Sequence, residues 1–320
     1  MHRIMVATPG GPEAMQLESC TAEAPAAGEI LVRHRAVGVN MIDTYHRAGI
    51  YPLPMPTGIG MEAAGIVEAA GEGVTNVDAG DRVVYFAASP GSYATHRVVP
   101  ANAVVRLPDE VAEDIAAAVW LKACTVEFLV ERCARVRPGQ LVLVTAAAGG
   151  VGLLLVQWLK AVGAQVIGVV SSGKEDAARG AGADDVLGYD DMPGRVREIS
   201  AGRGADVVID GVGKATFGAA LDSLCRRGLH ISFGNASGPI GPVDFSILAS
   251  KGSLFTTRPT LFDYYADPKD FAAGTGRVLE MLRNRRLDVT IGQRYPLADA
   301  ARCHRDLEAR RTVGSTILLP

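Results

Sequence analysis

The chain has 320 residues, of which 48% are apolar and 21% are charged, and its formal net charge is −3. A chain of this length and balance fits two globular domains, each with enough apolar material for a core. A slightly acidic chain attracts neither nucleic acid nor anionic lipid over long range, which excludes both as expected main partners.

The cysteines and the lack of long apolar runs indicate in which cellular compartment the protein is expected. The five cysteines are scattered, and no two have C-x-x-C spacing (Cys20, Cys124, Cys133, Cys225 and Cys303). An odd, scattered set argues against a disulfide framework and favours a reducing environment. The sequence begins with strand-like residues instead of an apolar signal core, and no run approaches a membrane span. We therefore expect a cytoplasmic protein with no membrane association.

Residues 1 to about 110 are rich in β-branched residues and are interrupted by glycine and proline. The patterns predict strands over residues 29–39, 61–68, 81–86 and 93–99. Short strands at this spacing are typical of a small barrel-like β domain. Three prolines between residues 51 and 58 indicate an irregular loop.

The middle of the chain alternates strands with helices. A long helix is predicted to end before Arg137. Beyond it, strands are predicted at residues 141–145, 165–170, 206–210, 229–233 and 253–257, with helices between them, one of which carries Phe217, Leu221, Leu224 and Cys225 on one face. Such alternation predicts a parallel, doubly wound sheet, which binds ligands at the carboxyl ends of its strands.

The end of the chain follows another pattern. After Pro259 the sequence predicts a helix, then a segment at residues 289–295, a helix at 298–309 and a last strand at 315–319. These elements do not make a complete third core. We expect this segment to pack back onto the first domain.

The sequence TAAAGGVG at residues 145–152 follows the first strand of the predicted sheet and leads into a helix predicted over residues 151–162. Its glycines leave room for a large anion beside the backbone, and the helix N–H groups and dipole favour negative charge there. The run is a variant of the dinucleotide fingerprint, with Ala147 where the first glycine often stands. It predicts a pyrophosphate site; the alternative is a turn of small residues that serves close packing alone.

The end of the next strand distinguishes the two nicotinamide dinucleotides. NAD enzymes place an acid there, roughly 20 residues past the glycine turn, to bind the ribose 2′-hydroxyl. Here the sequence reads VVSSGK at residues 169–174, without a carboxylate. Ser171, Ser172 and Lys174 would bind a 2′-phosphate, each charge-assisted hydrogen bond contributing about 1.5–3 kcal/mol. The turn predicts NADPH; the alternative is a solvated lysine at a helix start.

Two later strands of the same sheet end in glycine-containing turns, DGVG at residues 210–213 and FGN at residues 233–235. Both should open onto the edge that carries the glycine loop. We expect them to contact the cofactor, the alternatives being simple turns and, at Asn235, an Asx turn.

Six segments together carry a family resemblance: VNMIDTY at 39–45, GIYP at 49–52, GMEAAG at 60–65, AGDRV at 79–83, AAAGGVG at 146–152 and SFGNASG at 232–238. They resemble the zinc-free quinone oxidoreductases, a group of medium-chain dehydrogenases/reductases that includes bacterial NADPH:quinone reductases and zeta-crystallin. The resemblance implies an α/β chain with a GroES-like β-barrel catalytic domain (residues 1–121 and 259–320), a Rossmann NADPH-binding domain (residues 122–258) and a cleft between them. It also implies a homodimer, paired through residues 244–257.

The resemblance also implies contacts for particular residues. Asn40 would lie near the nicotinamide, and Arg310, in the last helix, would reach the 2′-phosphate. The other implied cofactor contacts are Ala147, Gly149, Gly150, Val151, Ser171, Lys174, Tyr189, Phe233 and Asn235. The turn at Ser171 is one residue shorter than in the family, so Ser171 and Ser172 can exchange roles.

Zinc-dependent relatives place a cysteine at the position of Asn40 and a histidine at the position of Met61. Neither residue here is a zinc ligand, and the cysteine-rich structural lobe is missing, since no cysteine lies between Cys20 and Cys124. The sequence therefore predicts no metal.

Without a Lewis acid to polarise an alcohol or carbonyl, an electron-poor acceptor such as a quinone is favoured. The protein then has to orient the nicotinamide against the substrate. By resemblance, Asn40, Tyr45 and Tyr51 carry the catalytic role, with both tyrosines on a loop that lines the substrate pocket; packing at the barrel surface is the alternative for the tyrosines. Asp43 serves either this site or a local backbone cap, and His46 and His96 are expected at the surface.

The sequence supports an NADPH-dependent quinone oxidoreductase that transfers hydride to a small quinone in the interdomain cleft. One alternative is an alkenal or enone reductase of the same superfamily, with the same cofactor and no metal. An alternative from another class is an RNA-binding or structural role of the crystallin kind, against which the acidic balance counts.

Overall fold

The computed structural model describes residues 1–21 and 23–320. The chain divides into two compact units, the first formed by Met1–Leu121 with Val289–Pro320 and the second by Lys122–Asp288. None of the helices formed by the described residues is long and apolar enough to span a lipid bilayer.

The first unit is built mainly from antiparallel strands. From the start of the chain to residue 121 the structure contains β1 (His2–Val6), β2 (Met15–Ser19), β3 (Glu29–Val39), α1 (Met41–Arg47), β4 (Thr57–Gly58), β5 (Glu62–Ala70), β6 (Arg82–Phe86), β7 (His96–Pro100), β8 (Val104–Arg106) and α2, which runs over Glu113–Glu127. The last residues of α2, from Lys122 on, belong to the second unit, and a π-helical segment, Phe128–Cys133, follows them.

The second unit alternates strands with helices. Its elements are β9 (Leu141–Thr145), α3 (Gly150–Ala161), β10 (Gln165–Val169), α4 (Glu175–Gly180), β11 (Asp185–Leu187), α5 (Met192–Ile199), β12 (Ala205–Asp210), α6 (Phe217–Asp222), β13 (Leu224–Ser232), α7 (Ser246–Ser250), β14 (Phe255–Thr257), α8 (Leu261–Tyr264) and α9 (Pro268–Arg283). The chain then returns to the first unit with β15 (Ile291–Pro296), α10 (Ala300–Glu308) and β16 (Ser315–Leu319).

In the first unit, one sheet has the strand order β15-β16-β3-β5-β6-β8, with β7 also paired to β3, and a smaller sheet has the order β2-β1-β4. The fully buried side chains of Ile30, Ile59, Tyr85 and Tyr93 lie in its hydrophobic core. This barrel-like arrangement of short strands is the one that the sequence predicts.

In the second unit, a parallel sheet has the order β11-β10-β9-β12-β13-β14. All five residues of the central strand β9 are buried, which is typical of a strand covered on both faces. The register aligns Thr145 with Val169, and Asp210 with Ser232. The turns that follow these strands therefore lie along one edge of the sheet, and the predicted doubly wound fold is confirmed.

Two local elements differ from the prediction. The predicted helix through Leu224 and Cys225 ends at Asp222, and Leu224 instead begins β13, where it pairs with Ala205. Leu224 is buried in the strand, as it would be on the apolar face of a helix, so its apolar character did not distinguish the two elements. Helix α1 was not predicted, because its cap at Asn40 and the polar residues that follow lack an apolar repeat.

The structure also moves the predicted domain boundary from residue 258 to residue 288. Residues 259–288 pack on the start of the second unit through polar contacts. The hydroxyl of Tyr265 donates to Glu127 Oε2 at 2.7 Å, and the Arg132 guanidinium lies 4.5 Å from the Tyr265 ring centroid. Arg277 Nε donates to Glu131 Oε1 at 2.9 Å. Only residues 289–320 return to the first unit, where β16 pairs with β3.

Candidate functional site

The glycine loop between β9 and α3 is shaped by contacts that leave no room for side chains. A Cβ at Gly152 would lie 2.2 Å from the carbonyl oxygen of Ala146 and 2.7 Å from Cα of Ala147. Gly149 caps α3 with extended backbone, and the first N–H groups of a helix have no partner within the helix. The loop therefore presents backbone donors at the carboxyl end of the sheet, as the sequence predicts.

Tyr189 braces this loop from the strand-end region after β11. Its hydroxyl oxygen accepts a hydrogen bond of 3.0 Å from the backbone N–H of Ala146, whose φ of 51° lies in the left-handed region. The family resemblance alone predicts a cofactor contact for Tyr189. In the structure, Tyr189 lies against the predicted pyrophosphate loop.

The turn after β10 carries the residues expected at the 2′-phosphate. Ser171, Ser172 and Gly173 are exposed, and the backbone N–H of Lys174 donates to the carbonyl of Ser171 at 3.2 Å. Lys174 is the N-cap of α4, so the first carboxylate, Glu175, belongs to the helix and not to the turn. The strand end thus presents hydroxyl groups and an ammonium group.

A buried carboxylate supports the next turn along this edge. Asp210 accepts hydrogen bonds from the hydroxyls of Thr145 (2.7 Å) and Thr216 (2.8 Å), and its Oδ2 lies 3.6 Å from Nε2 of the buried His230. Burial alone would raise the pKa of Asp210, but the nearby His230 ring and the hydrogen bonds from Thr145, Thr216 and the backbone N–H of Val212 outweigh it and lower the pKa. Sequence reasoning missed these supporting residues, because no local pattern shows that their side chains meet at Asp210, from which Thr145 is 65 residues away in the chain.

The turns after β12 and β13 touch backbone to backbone. A Cβ at Gly234 would lie 2.2 Å from the carbonyl oxygen of Gly211, and a Cβ at Gly211 would lie 2.8 Å from the Phe233 ring. The N–H of Phe233 donates to the carbonyl of Asp210 at 2.9 Å. The structure therefore places Phe233 and the neighbouring Asn235 beside the turn at residues 211–213.

In the first unit, a chain of buried polar groups fixes helix α1. Arg47 Nη1 lies 3.2 Å from Nδ1 of His304, and Nε2 of His304 lies 3.0 Å from the Tyr93 hydroxyl, which donates to Asp43 Oδ2 at 3.0 Å. Asp43 in turn accepts the backbone N–H of Asn40 at 2.8 Å. Burial, together with the charge of Arg47, lowers the pKa of His304 to about 3, so its ring is neutral. Asp43 thus caps the helix and also anchors it.

Tyr45 and Tyr51 lie together, with ring centroids 5.3 Å apart in an edge-to-face arrangement. Tyr45 belongs to helix α1 and not to the loop where the sequence analysis placed it, while Tyr51 follows the helix. His46 packs on Tyr51 at 6.1 Å and is only 7% exposed, so its predicted surface placement is wrong. Its burial lowers its pKa.

Two other predicted positions fall outside these clusters. His96 is half-buried, and its Nε2 lies 3.3 Å from a carboxylate oxygen of Glu68. Arg310 is exposed and lies beyond the end of α10 at Glu308, with a φ of 57°, and not in the last helix as expected.

Two family models match the chain, the alcohol dehydrogenase GroES-like domain over residues 26–109 and the zinc-binding dehydrogenase over residues 150–265. A quinone oxidoreductase of Pseudomonas aeruginosa is 44% identical over 99% of both chains. The chain belongs to the quinone oxidoreductase family. The structure of the Escherichia coli quinone oxidoreductase complexed with NADPH is similar with a TM-score of 0.98, 42% identity and complete coverage of both chains. A 2-haloacrylate reductase of Burkholderia is 37% identical over 97% of this chain and 96% of its own.

The matching family name mentions zinc, but the residues here do not fit that metal. Asn40 uses its amide to donate to Glu62 Oε1 at 2.8 Å, and Met61 is a fully buried thioether. Neither group is a usual ligand of Zn²⁺, which takes thiolate, imidazole or carboxylate. Within residues 1–21 and 23–320, no group of three or more His, Cys, Asp and Glu side chains is arranged to hold a metal ion.

Gly152→Ala tests the steric basis of the glycine loop. The added methyl group meets backbone that has no rotamer to change, so we expect the free energy of unfolding to fall by about 1–3 kcal/mol. The matched control is Gly276→Ala in α9, where no atom lies within 4 Å of the added Cβ. It should stabilise the chain by about 0.5–1 kcal/mol. Chemical denaturation measures both; equal effects would contradict the steric account.

The buried His304 makes stability depend on pH. Its pKa of about 3 in the folded chain lies below the 6.5 of an exposed histidine, so the unfolded chain binds the extra proton first. The stability that this histidine contributes is therefore full above pH 6.5 and falls as the pH drops towards 3, by about 2 kcal/mol at pH 5. Burial also lowers the pKa of His34 to about 3, so His304→Gln should remove only its own share of the pH dependence, whereas His2→Gln, at an exposed position, should remove none. Denaturation midpoints between pH 7 and pH 5 that fall in parallel for all three chains would refute the assignment.

Proposed function

We propose that this protein is an NADPH-dependent quinone oxidoreductase that reduces a small quinone by hydride transfer. The observation that carries the proposal is the carboxylate-free turn of Ser171, Ser172 and Lys174, which ends the strand next to the glycine loop of a parallel sheet. Relatives named quinone oxidoreductases match the full length of the chain.

The residues of the second unit fit NADPH. The loop from Ala147 to Val151 offers backbone N–H groups, the helix dipole of α3 and a surface without bulky side chains to a pyrophosphate. Ser171 and Lys174, with Ser172 as an exchangeable hydroxyl, would hold the 2′-phosphate, and Phe233 and Asn235 would line the cofactor along the same edge. Arg310, which belongs to the first unit, would add a second basic group.

When bound, NADPH supplies hydride from C4 of its nicotinamide ring. The protein contributes orientation and the exclusion of side reactions. Asn40 would hold the nicotinamide, while Tyr45 and Tyr51 would stack on the quinone ring and donate to its oxygen. A reduced quinone is a stabilised phenolate, so a weak donor such as a tyrosine hydroxyl suffices to protonate it.

A second candidate is reduction of an α,β-unsaturated carbonyl compound, favoured by the similarity to a 2-haloacrylate reductase. It would use the same cofactor and the same orienting residues. An RNA-binding role has less support, because the formal net charge is −3. The two reductase activities differ only in the acceptor.

Initial rates of NADPH and NADH oxidation with 1,4-benzoquinone, and in parallel with a simple alkenal, test the proposal on chelator-treated protein. We expect fast, NADPH-dependent reduction of the quinone that survives the chelator. Turnover of the alkenal alone would replace quinone reduction by enone reduction. Loss of activity on chelation would overturn the metal-free assignment.

We also propose a cytoplasmic homodimer. The five cysteines are all free, which favours a reducing compartment. The edge strand β14 leaves the sheet unpaired on one side, and Phe255 on this strand is 58% exposed, while Phe245 just before α7 is 74% exposed. An exposed apolar edge strand is a template for pairing with another chain.

Lys174→Ala tests the cofactor assignment. Loss of one charge-assisted hydrogen bond should weaken NADPH binding about 10- to 150-fold and leave NADH binding nearly unchanged. The control Lys269→Ala removes an exposed lysine at the start of α9 and should change neither affinity. Titration of the intrinsic fluorescence measures both constants. Equal binding of NADH and NADPH by the wild type would refute the role of the turn.

Phe255→Glu tests the homodimer. A charge on the edge strand should convert the wild-type dimer, at twice the chain mass of 33.5 kDa, to a monomer in light scattering after size exclusion. Leu17→Glu is the control, since Leu17 is 46% exposed on β2, an edge strand of the smaller sheet. A monomeric wild type, or a control that dissociates equally, would contradict the proposed pairing surface.

A further inference from the structure

Glu62 is a buried carboxylate that the proposed reaction does not use. Its side chain is 0% exposed. Its Oε1 accepts a hydrogen bond from Nδ2 of Asn40 at 2.8 Å, and its Oε2 accepts one from the backbone N–H of Leu121 at 2.6 Å. All three residues belong to the first unit. Glu62 therefore joins the N-cap of α1 to the backbone of α2.

The fold makes space for this carboxylate at a glycine. Strands β3 and β5 are antiparallel, and Gly38 lies opposite Glu62 in their register. A Cβ at Gly38 would lie 2.3 Å from Glu62 Oε1 and 2.2 Å from the carbonyl oxygen of Ala117 on α2. The carboxylate thus occupies the volume that any side chain at position 38 would take.

The carboxylate decides which way the Asn40 amide points. An ionised carboxylate only accepts hydrogen bonds, and here each of its oxygens faces an N–H donor. The NH₂ group of Asn40 must therefore face Glu62, because the reverse orientation would set two oxygens against each other. The carbonyl oxygen Oδ1 of Asn40 is consequently turned away from Glu62, where it accepts the backbone N–H of Asp43 in the capping box of α1 and keeps a second lone pair for another donor.

We propose that Glu62 is a positioning residue that presents the Asn40 carbonyl oxygen to the carboxamide N–H of the nicotinamide ring. The inference rests on the proposed function, which puts Asn40 beside that ring. Asn40 would then accept a hydrogen bond from the cofactor, and Glu62 would hold the Asn40 amide in the orientation that makes this possible.

Glu62→Gln is the sharpest change, since it keeps the size of the side chain. The N–H of Leu121 still requires an acceptor, so the glutamine oxygen faces Leu121 and its NH₂ group faces Asn40. The Asn40 amide then has to turn its carbonyl towards residue 62, which also breaks its hydrogen bond from the backbone N–H of Asp43. We expect NADPH binding to weaken about 2- to 12-fold, the range for one neutral hydrogen bond.

A double-mutant cycle separates positioning from a merely structural role. If Glu62 acts through Asn40, then Glu62→Gln in an Asn40→Ala background causes no further loss of NADPH affinity. An equal loss in both backgrounds would overturn the inference. The matched control is Glu68→Gln, the same substitution on the same strand at an exposed residue, which should leave affinity unchanged in both backgrounds.

A cofactor analogue tests the same polarity without altering Glu62, in case the glutamine variant does not fold. In the reduced 3-acetylpyridine analogue of NADPH, a methyl group replaces the carboxamide NH₂ and removes the donor. Asn40→Ala should then weaken binding of NADPH about 2- to 12-fold and leave binding of the analogue unchanged. An equal loss for both ligands would show that Asn40 does not accept from the carboxamide.

The affinities are measured without a quinone, so the two proposals can fail separately. If the wild type does not bind NADPH, both the proposed function and the inference are overturned. If it binds NADPH but does not reduce quinones, the cycle still decides the role of Glu62. Additive losses in a protein that binds NADPH and reduces quinones overturn the inference alone.

Discussion

The edge of the parallel sheet depends on one steric constraint, the contact of Gly152 with the carbonyl of Ala146. A Cβ added at Gly152 would lie only 2.2 Å from this carbonyl oxygen, so the first turn of α3 packs directly on the loop before it. The turns at Gly211 and Gly234, which follow the next two strands of the sheet, repeat this close backbone contact. The result is a surface of peptide groups, which suits a charged, extended ligand better than a lining of side chains would.

The first unit uses the opposite solution, with polar side chains buried around a short helix. Helix α1 has seven residues, too few for independent stability, so tertiary contacts must hold it. The donor order runs from Arg47 through neutral His304 and Tyr93 to Asp43, so that each group in this chain of contacts meets a complementary one. At the N-terminus of α1, Glu62 accepts a hydrogen bond from the Asn40 amide and fixes its orientation. These contacts determine where Tyr45 and Asn40 lie.

The sequence predicted the parallel sheet and its glycine loop because these features are local: consecutive apolar residues form strands, and glycines stand together at one turn. The last strand, Ser315–Leu319, agrees with the prediction for the same reason. The buried polar contacts were not predictable from local patterns. Tyr93 and His304 are 211 residues apart in the chain, and Glu62 and Leu121 are 59 apart. Such pairs arise from topology and not from any repeat in the sequence.

The glycine loop and the turn after β10, both at the carboxyl edge of the parallel sheet, differ in how well they would tolerate substitution. The glycine loop packs so closely that a side chain at Gly152 would destabilise the fold in addition to any effect on binding. The turn of Ser171, Ser172 and Gly173 is exposed, and its side chains support no core. Under the proposed function, substitutions at this turn would alter dinucleotide preference with little penalty in stability. The choice of nucleotide would then be separate from the contacts that hold the sheet and its glycine loop together.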